Sequence, residues 1–67
     1  MNKATRQQEI LNLLISKERI EITELCDRFH IVPMTARRDL KELEEQGKLI
    51  RTHGGAALPP EKEDVNL

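Results

Sequence analysis

The run Pro33-Met34-Thr35-Ala36-Arg37-Arg38-Asp39-Leu40-Lys41-Glu42-Leu43-Glu44-Glu45-Gln46 leaves this chain the fewest choices. It reads as a helix of about fourteen residues, ~21 Å long. Pro33 is suited to the first helical position, where its missing N–H costs nothing, and Gly47 stops the run as a C′ glycine. At about 100° per residue, Ala36, Leu40 and Leu43 fall on one side and Met34, Thr35, Arg38 and Lys41 on the other. The first side is core. The second is free for another use.

The charges on this helix are ordered against its dipole. Arg37, Arg38 and Lys41 crowd the front and Glu42, Glu44 and Glu45 the back, whereas acids are favoured at a helix start and bases at its end. A solvated face laced by Arg38 with Glu42 and Lys41 with Glu45 is the plain explanation, but base-before-acid is the weaker order for such pairs. A front end that enters a DNA groove wants cations there, with the acids turned back toward solvent.

The elements before Pro33 support this helix. Met1 to Ala4 is expected to fray, leaving Lys3 able to reach a phosphate. Thr5 with Gln8 three residues on forms a capping-box pattern, so a first helix is expected from Arg6 to about Lys17, with Ile10, Leu11, Leu14 and Ile15 as its apolar stripe and Leu13 flanking. Arg6 is expected to be a solvated surface charge. Ile20-Glu21-Ile22 alternates as a short strand and needs partners later in the chain. Thr23 is the expected N-cap of a second, short helix whose Leu25, Cys26 and Phe29 share an inward face, with Glu24 and Asp27 in its first turn. Cys26 and His30 stand four residues apart, but two ligands do not make a structural zinc site. His30-Ile31-Val32 is then the three-residue turn of a helix-turn-helix, since Pro33 disfavours helical geometry in Val32 and His30 tolerates positive φ better than most residues.

After Gly47, Lys48 to Thr52 reads as a strand, His53-Gly54-Gly55-Ala56 as a hairpin turn and Ala57-Leu58 as a returning strand. No Gly-Lys-Ser/Thr follows the glycine pair and no helix opens after it, so it is not a phosphate-cradling loop. Pro59-Pro60 ends the pairing, and Glu61 to Leu67 reads as a linker start or disordered tail. The expected architecture is α+β, mostly α: a winged helix-turn-helix of three helices and a small antiparallel sheet in residues 1–58, with the helix-turn-helix at about 20–39 and the tail at 59–67.

Composition narrows the function. Sixty-seven residues make one small domain, too small for an enzyme fold with an enclosed pocket, and Ser16, His30 and His53 form no triad pattern with the acids. No cofactor or metal is expected. The lone Cys26 suits a reducing compartment, and with no membrane span or signal-peptide core in the sequence a cytoplasmic location is expected. The single aromatic residue, Phe29, argues against base-stacking readers of single strands or RNA. Net charge argues the other way from DNA: the chain carries −1, with pI ≈ 6.1. Residues 1–58 hold ten Lys+Arg and nine Asp+Glu and the rest one Lys and three acids, so the folded part is slightly positive and non-specific DNA affinity is expected to be weak.

On this basis Thr35 and Arg38 are the expected base contacts, Arg38 as a bidentate partner for guanine. Met34 suits a thymine methyl, Lys41 a base or phosphate, and Arg37, off the centre of the face, a phosphate. On the wing, Arg51 and His53 are placed to touch the backbone or minor groove, and Lys48 lies farther away. The competing reading is a winged helix used as a protein-interaction module without DNA binding.

Ile22-Thr23-Glu24-Leu25, Phe29, Met34-Thr35-Ala36-Arg37-Arg38-Asp39-Leu40, Leu43-Glu44-Glu45-Gln46-Gly47 and Arg51-Thr52-His53-Gly54-Gly55-Ala56 together resemble the N-terminal DNA-binding domain of the DeoR family of bacterial transcriptional regulators, over about residues 3 to 58. Two positions depart from the family: Val32 stands where Ser usually caps the helix, and Ala36 where Ile is usual. The resemblance implies a repressor that binds a double-stranded DNA operator of carbohydrate or nucleoside catabolism. It also implies a larger C-terminal domain, outside these residues, that binds a phosphorylated sugar effector and makes the whole protein a homo-oligomer. The isolated domain is then expected to be a monomer and to bind DNA weakly without the avidity of a linked second copy.

Overall fold

The computed structural model describes residues 1–60; the expected tail at 61–67 lies outside the described residues. The element order is α1 (Lys3–Lys17), β1 (Arg19–Glu21), α2 (Ile22–Phe29), α3 (Pro33–Glu45), β2 (Ile50–Thr52) and β3 (Gly55–Ala57). Three helices with a three-stranded antiparallel sheet make the expected winged helix-turn-helix.

α1 begins three residues before the expected start. The Asn2 side chain accepts from the Thr5 N–H at 2.8 Å, so Asn2 is the N-cap and Thr5 a helical residue. Both are good caps, and the earlier one adds most of a turn that carries Lys3 into the helix. Ile10 and Leu14 are fully buried, with Leu11 and Leu13 packed beside them. Ile15, expected in the stripe, is 67% exposed. It lies roughly 120° from the line midway between Ile10 and Leu14, where Leu11 and Leu13 lie only about 80° off on either side.

Glu18, at φ 72°, turns the chain out of α1 and straight into β1, where Ile20 is buried between exposed neighbours. α2 follows with no loop. Ile22 is its first residue rather than the last of the strand, and the cap is Glu21, not Thr23. The Glu24 side chain accepts the Glu21 N–H at 3.4 Å, half of a capping box, and Ile22 is thereby free to pack on the core. Asp27 lies beyond the first turn, where Glu24 is the acid. His30 ends α2 in the left-handed region at φ 56°, as its place in the turn led us to expect.

α3 starts at Pro33 behind an extended Val32 that offers no side-chain cap. It stops in a Schellman motif: Gly47 has φ 76°, its N–H reaches the Glu44 carbonyl at 2.9 Å and the Lys48 N–H reaches that of Leu43 at 3.0 Å. That turn delivers Leu49, buried, to the core just ahead of β2.

The wing hairpin is tighter than expected. Its turn is His53-Gly54, and Gly55 and Ala56 belong to the returning strand, which lies between the other two in the order β1-β3-β2. Gly55 stands opposite both Glu21 and Thr52. A Cβ on it would lie 1.9 Å from the Ile20 carbonyl oxygen, so the close pass of β1 requires glycine there. Leu58 falls just outside β3 but holds β1's start through its N–H to the Glu18 carbonyl at 3.3 Å. The core draws on every part of the fold: Ile10 and Leu14 from α1, Ile20 from β1, Leu25 from α2, Ala36, Leu40 and Leu43 from α3, and Leu49 and Ala56 from the wing.

Candidate nucleic-acid interface

α3 is fixed from three directions, and what remains of its surface is the candidate site. Ala36, Leu40 and Leu43 face the core. Asp39 belongs to the same buried side, at 1% exposed. Its carboxylate accepts from Arg6 Nε at 2.5 Å and Nη2 at 2.9 Å, and from Gln7 Nε2 at 3.1 Å. Gln7 Nε2 also donates to Glu42 Oε1 at 3.0 Å, and Lys3 Nζ stands 3.1 Å from the same oxygen. One flank of α3 is thus bound to the first two turns of α1.

The opposite flank is bound to the wing. Arg51 donates to Glu44 twice, from its main-chain N–H to Oε2 at 3.1 Å and from Nε to Oε1 at 2.8 Å. These contacts shift the titrations in the expected sense. The Asp39 hydrogen bond raises the Arg6 guanidinium above its ordinary value, against the effect of burial. Glu42 is held below the ordinary carboxylate value, first by Gln7 and then by Lys3. Glu44 is lowered first by the Arg51 main-chain N–H and then by its side chain. Glu24 is lowered by Lys17, which reaches it from the end of α1.

Between these flanks Arg37, Arg38 and Lys41 are exposed, Met34 is 64% exposed and Thr35 is half-buried at the edge nearest Asp39. None of the three cations takes part in any ion pair among the described residues. The lacing of Arg38 with Glu42 and Lys41 with Glu45 does not form. Of the rear acids only Glu45 faces solvent as expected, because Glu42 and Glu44 are engaged by α1 and the wing. His53 is exposed at the hairpin turn. Arg51 is exposed too, but its Nε and N–H are committed to Glu44, which leaves only its two terminal guanidinium nitrogens for another partner. Lys3 is likewise engaged, and Arg6, expected as a solvated charge, is a half-buried partner of Asp39.

Sequence reasoning gave Asp39 and Gln7 no role of their own in the site and misread Arg6 as solvated. The signal was present: Asp39 is three residues after Ala36 and four before Leu43, so it falls within the buried stripe, and a carboxylate there demands a cation.

Among the described residues no three His, Cys, Asp or Glu side chains converge as a metal site, and no helix is long and apolar enough to cross a membrane. A shallow cavity lined by Glu9, Asn12, Leu13, Ser16 and Arg28 lies apart from the exposed face of α3.

The DeoR-like helix-turn-helix domain model matches residues 6–62. The chain is 49% identical over 65 residues to the lactose phosphotransferase system repressor of Lactococcus lactis subsp. lactis, which covers 97% of the chain and 26% of that relative. It is 42% identical over 59 residues to the glycerol-3-phosphate regulon repressor of Escherichia coli (strain K12), covering 88% of the chain and 23% of the relative. The chain therefore spans about a quarter of the length of these relatives. No solved structure matches it.

Proposed function

The chain belongs to the DeoR-like helix-turn-helix family and is a DNA-binding regulator domain, and on that premise we propose that it reads a double-stranded operator by laying α3 in the major groove. The observation that carries this is the division of charge on α3. Asp39, Glu42 and Glu44 are bound to α1 and the wing, which leaves Arg37, Arg38 and Lys41 exposed and in no ion pair among the described residues, with Glu45 the one acid of α3 that is likewise exposed and unpaired there.

In this arrangement Arg38 donates a fork of N–H groups to a guanine edge, Thr35 supplies a hydroxyl at the groove wall and Met34 lies against a thymine methyl. Lys41 reaches a base or phosphate, and Arg37 a phosphate. His53 and the terminal guanidinium nitrogens of Arg51 meet the flanking backbone or minor groove. None of these roles involves catalysis.

The names of the relatives support a repressor role, and we propose further that the parent protein represses an operon of carbohydrate or nucleoside catabolism from the cytoplasm as a homo-oligomer, with a phosphorylated sugar bound outside these residues changing the spacing or mobility of its DNA-reading domains. The small positive charge of residues 1–58 fits that scheme, since one copy binds weakly and two linked copies gain roughly 10² to 10⁴ in avidity.

Selection of bound sequences from a random duplex pool tests the reading. The expected result is an enriched consensus whose affinity falls steeply with salt. Arg38→Ala should relax preference at one or two base pairs at a cost of about 1–3 kcal/mol, whereas Arg37→Ala should weaken all sequences alike and reduce the salt slope by about one. A chain that enriches nothing over the starting pool, or whose binding ignores salt, is not a DNA reader.

A further inference from the structure

We propose that the Arg6–Asp39 pair sets the rotation of α3 about its own axis, making Arg6 a positioning residue for base recognition rather than a source of stability; the proposal rests on the DNA-reading function above. Arg6 and Asp39 are 33 residues apart, and their contact is a two-pronged one, Nε to Oδ2 and Nη2 to Oδ1. Gln7 adds a third donor to the carboxylate and ties it to Glu42 one turn on.

Burying such a pair is close to neutral in free energy, because the desolvation of both ions offsets their attraction. What it adds is direction. The apolar contacts of Ala36, Leu40 and Leu43 are non-directional, and the small Ala36 does little to key the helix against rolling. Asp39 directly follows Arg38 and lies one turn after Thr35, so holding its carboxylate fixes where both project. An extended Arg ends ~9 Å from its helix axis, so a roll of about 20° carries its guanidinium ~3 Å. That exceeds the tolerance of a bidentate base contact, whose hydrogen bonds span only about 2.7–3.2 Å.

The test is a double variant, Arg6→Met with Asp39→Leu, which replaces the pair by apolar side chains. Its thermal midpoint is measured together with its affinity for the duplex selected by the wild-type chain and for a scrambled duplex of equal length. The expected result is an unchanged or higher midpoint, scrambled-duplex affinity within twofold of wild type, and selected-duplex affinity lower by roughly tenfold, about one base contact's worth. Arg6→Lys, which keeps the charge but loses the fork, should show the same split to a smaller degree and serves if the double variant does not fold. Equal losses on both duplexes would make Arg6 a phosphate contact, and an unchanged ratio between them would show that α3 needs no such guide; either overturns the proposal. A wild-type chain that selects no sequence removes the DNA reading itself, and this proposal with it.

Discussion

At Gly47 the backbone sits at φ +76° with nothing within 4 Å of where a Cβ would stand, whereas at Gly55 the Cβ would meet the Ile20 carbonyl at 1.9 Å. Substitution by Ala therefore fails for different reasons at the two sites. Gly47→Ala pays only backbone strain, about 1 kcal/mol, which lowers the midpoint of a domain this size by roughly 4–8 °C. Gly55→Ala displaces β1 and should cost on the order of 4 kcal/mol, enough to abolish a cooperative transition in so small a core. Calorimetry on the two variants separates the cases. Gly47 was legible because a helix stop is a local event. Gly55 was assigned to the turn because paired glycines signal one; its actual constraint comes from a strand more than thirty residues earlier, which no local pattern encodes. Asp39 falls between these cases, since its place in the buried stripe was readable although its partner was not.

At the scale of the element, the helices were legible in number, order and inward face, and the errors lie at their ends. Asn2 and Thr5 compete to cap α1, and Glu21 rather than Thr23 caps α2, because the strand-to-helix step leaves no loop to spare. α3 is the element whose cap remains weak: Val32 lies extended at its N-cap with no side-chain acceptor. Val32→Ser should stabilise the domain by about 1 kcal/mol through a hydroxyl bonded to a first-turn amide. A thermal midpoint that stays the same or falls would mean that the Val32 side chain, though exposed, contributes packing that outweighs a cap. The strands were each misplaced by a residue or two, as expected of three-residue strands whose bounds depend on their neighbours.

Across the whole molecule, carboxylates bind the three helices and the wing together: Glu24 to α1's end, Glu42 to its start and Glu44 to β2. All three are held below the ordinary carboxylate value. A group whose pKa is depressed on folding adds stability above its unfolded pKa, about 4.3, and loses it as pH falls through the folded value. The thermal midpoint should therefore be flat between about pH 5.5 and 7 and fall below roughly 4.3, and Glu44→Gln should lower that plateau and make the fall shallower, the two curves converging in acid. A midpoint series over pH 3 to 7 checks both. The overall architecture was legible because Pro33 and Gly47 bracket α3 and the turn before it fits one supersecondary motif. The strand order was not, because alternation says that a segment is a strand but not which neighbours it takes.

That order gives synthesis a deadline. A ribosome delivers Ile20 early and Gly55 late, and β3 is the strand with which both others pair. Until Gly55 to Ala57 emerges, β1 and β2 are two unsealed margins with no common partner, open to whatever nascent chain lies alongside. The strand that closes the sheet is the last of its three to leave the tunnel.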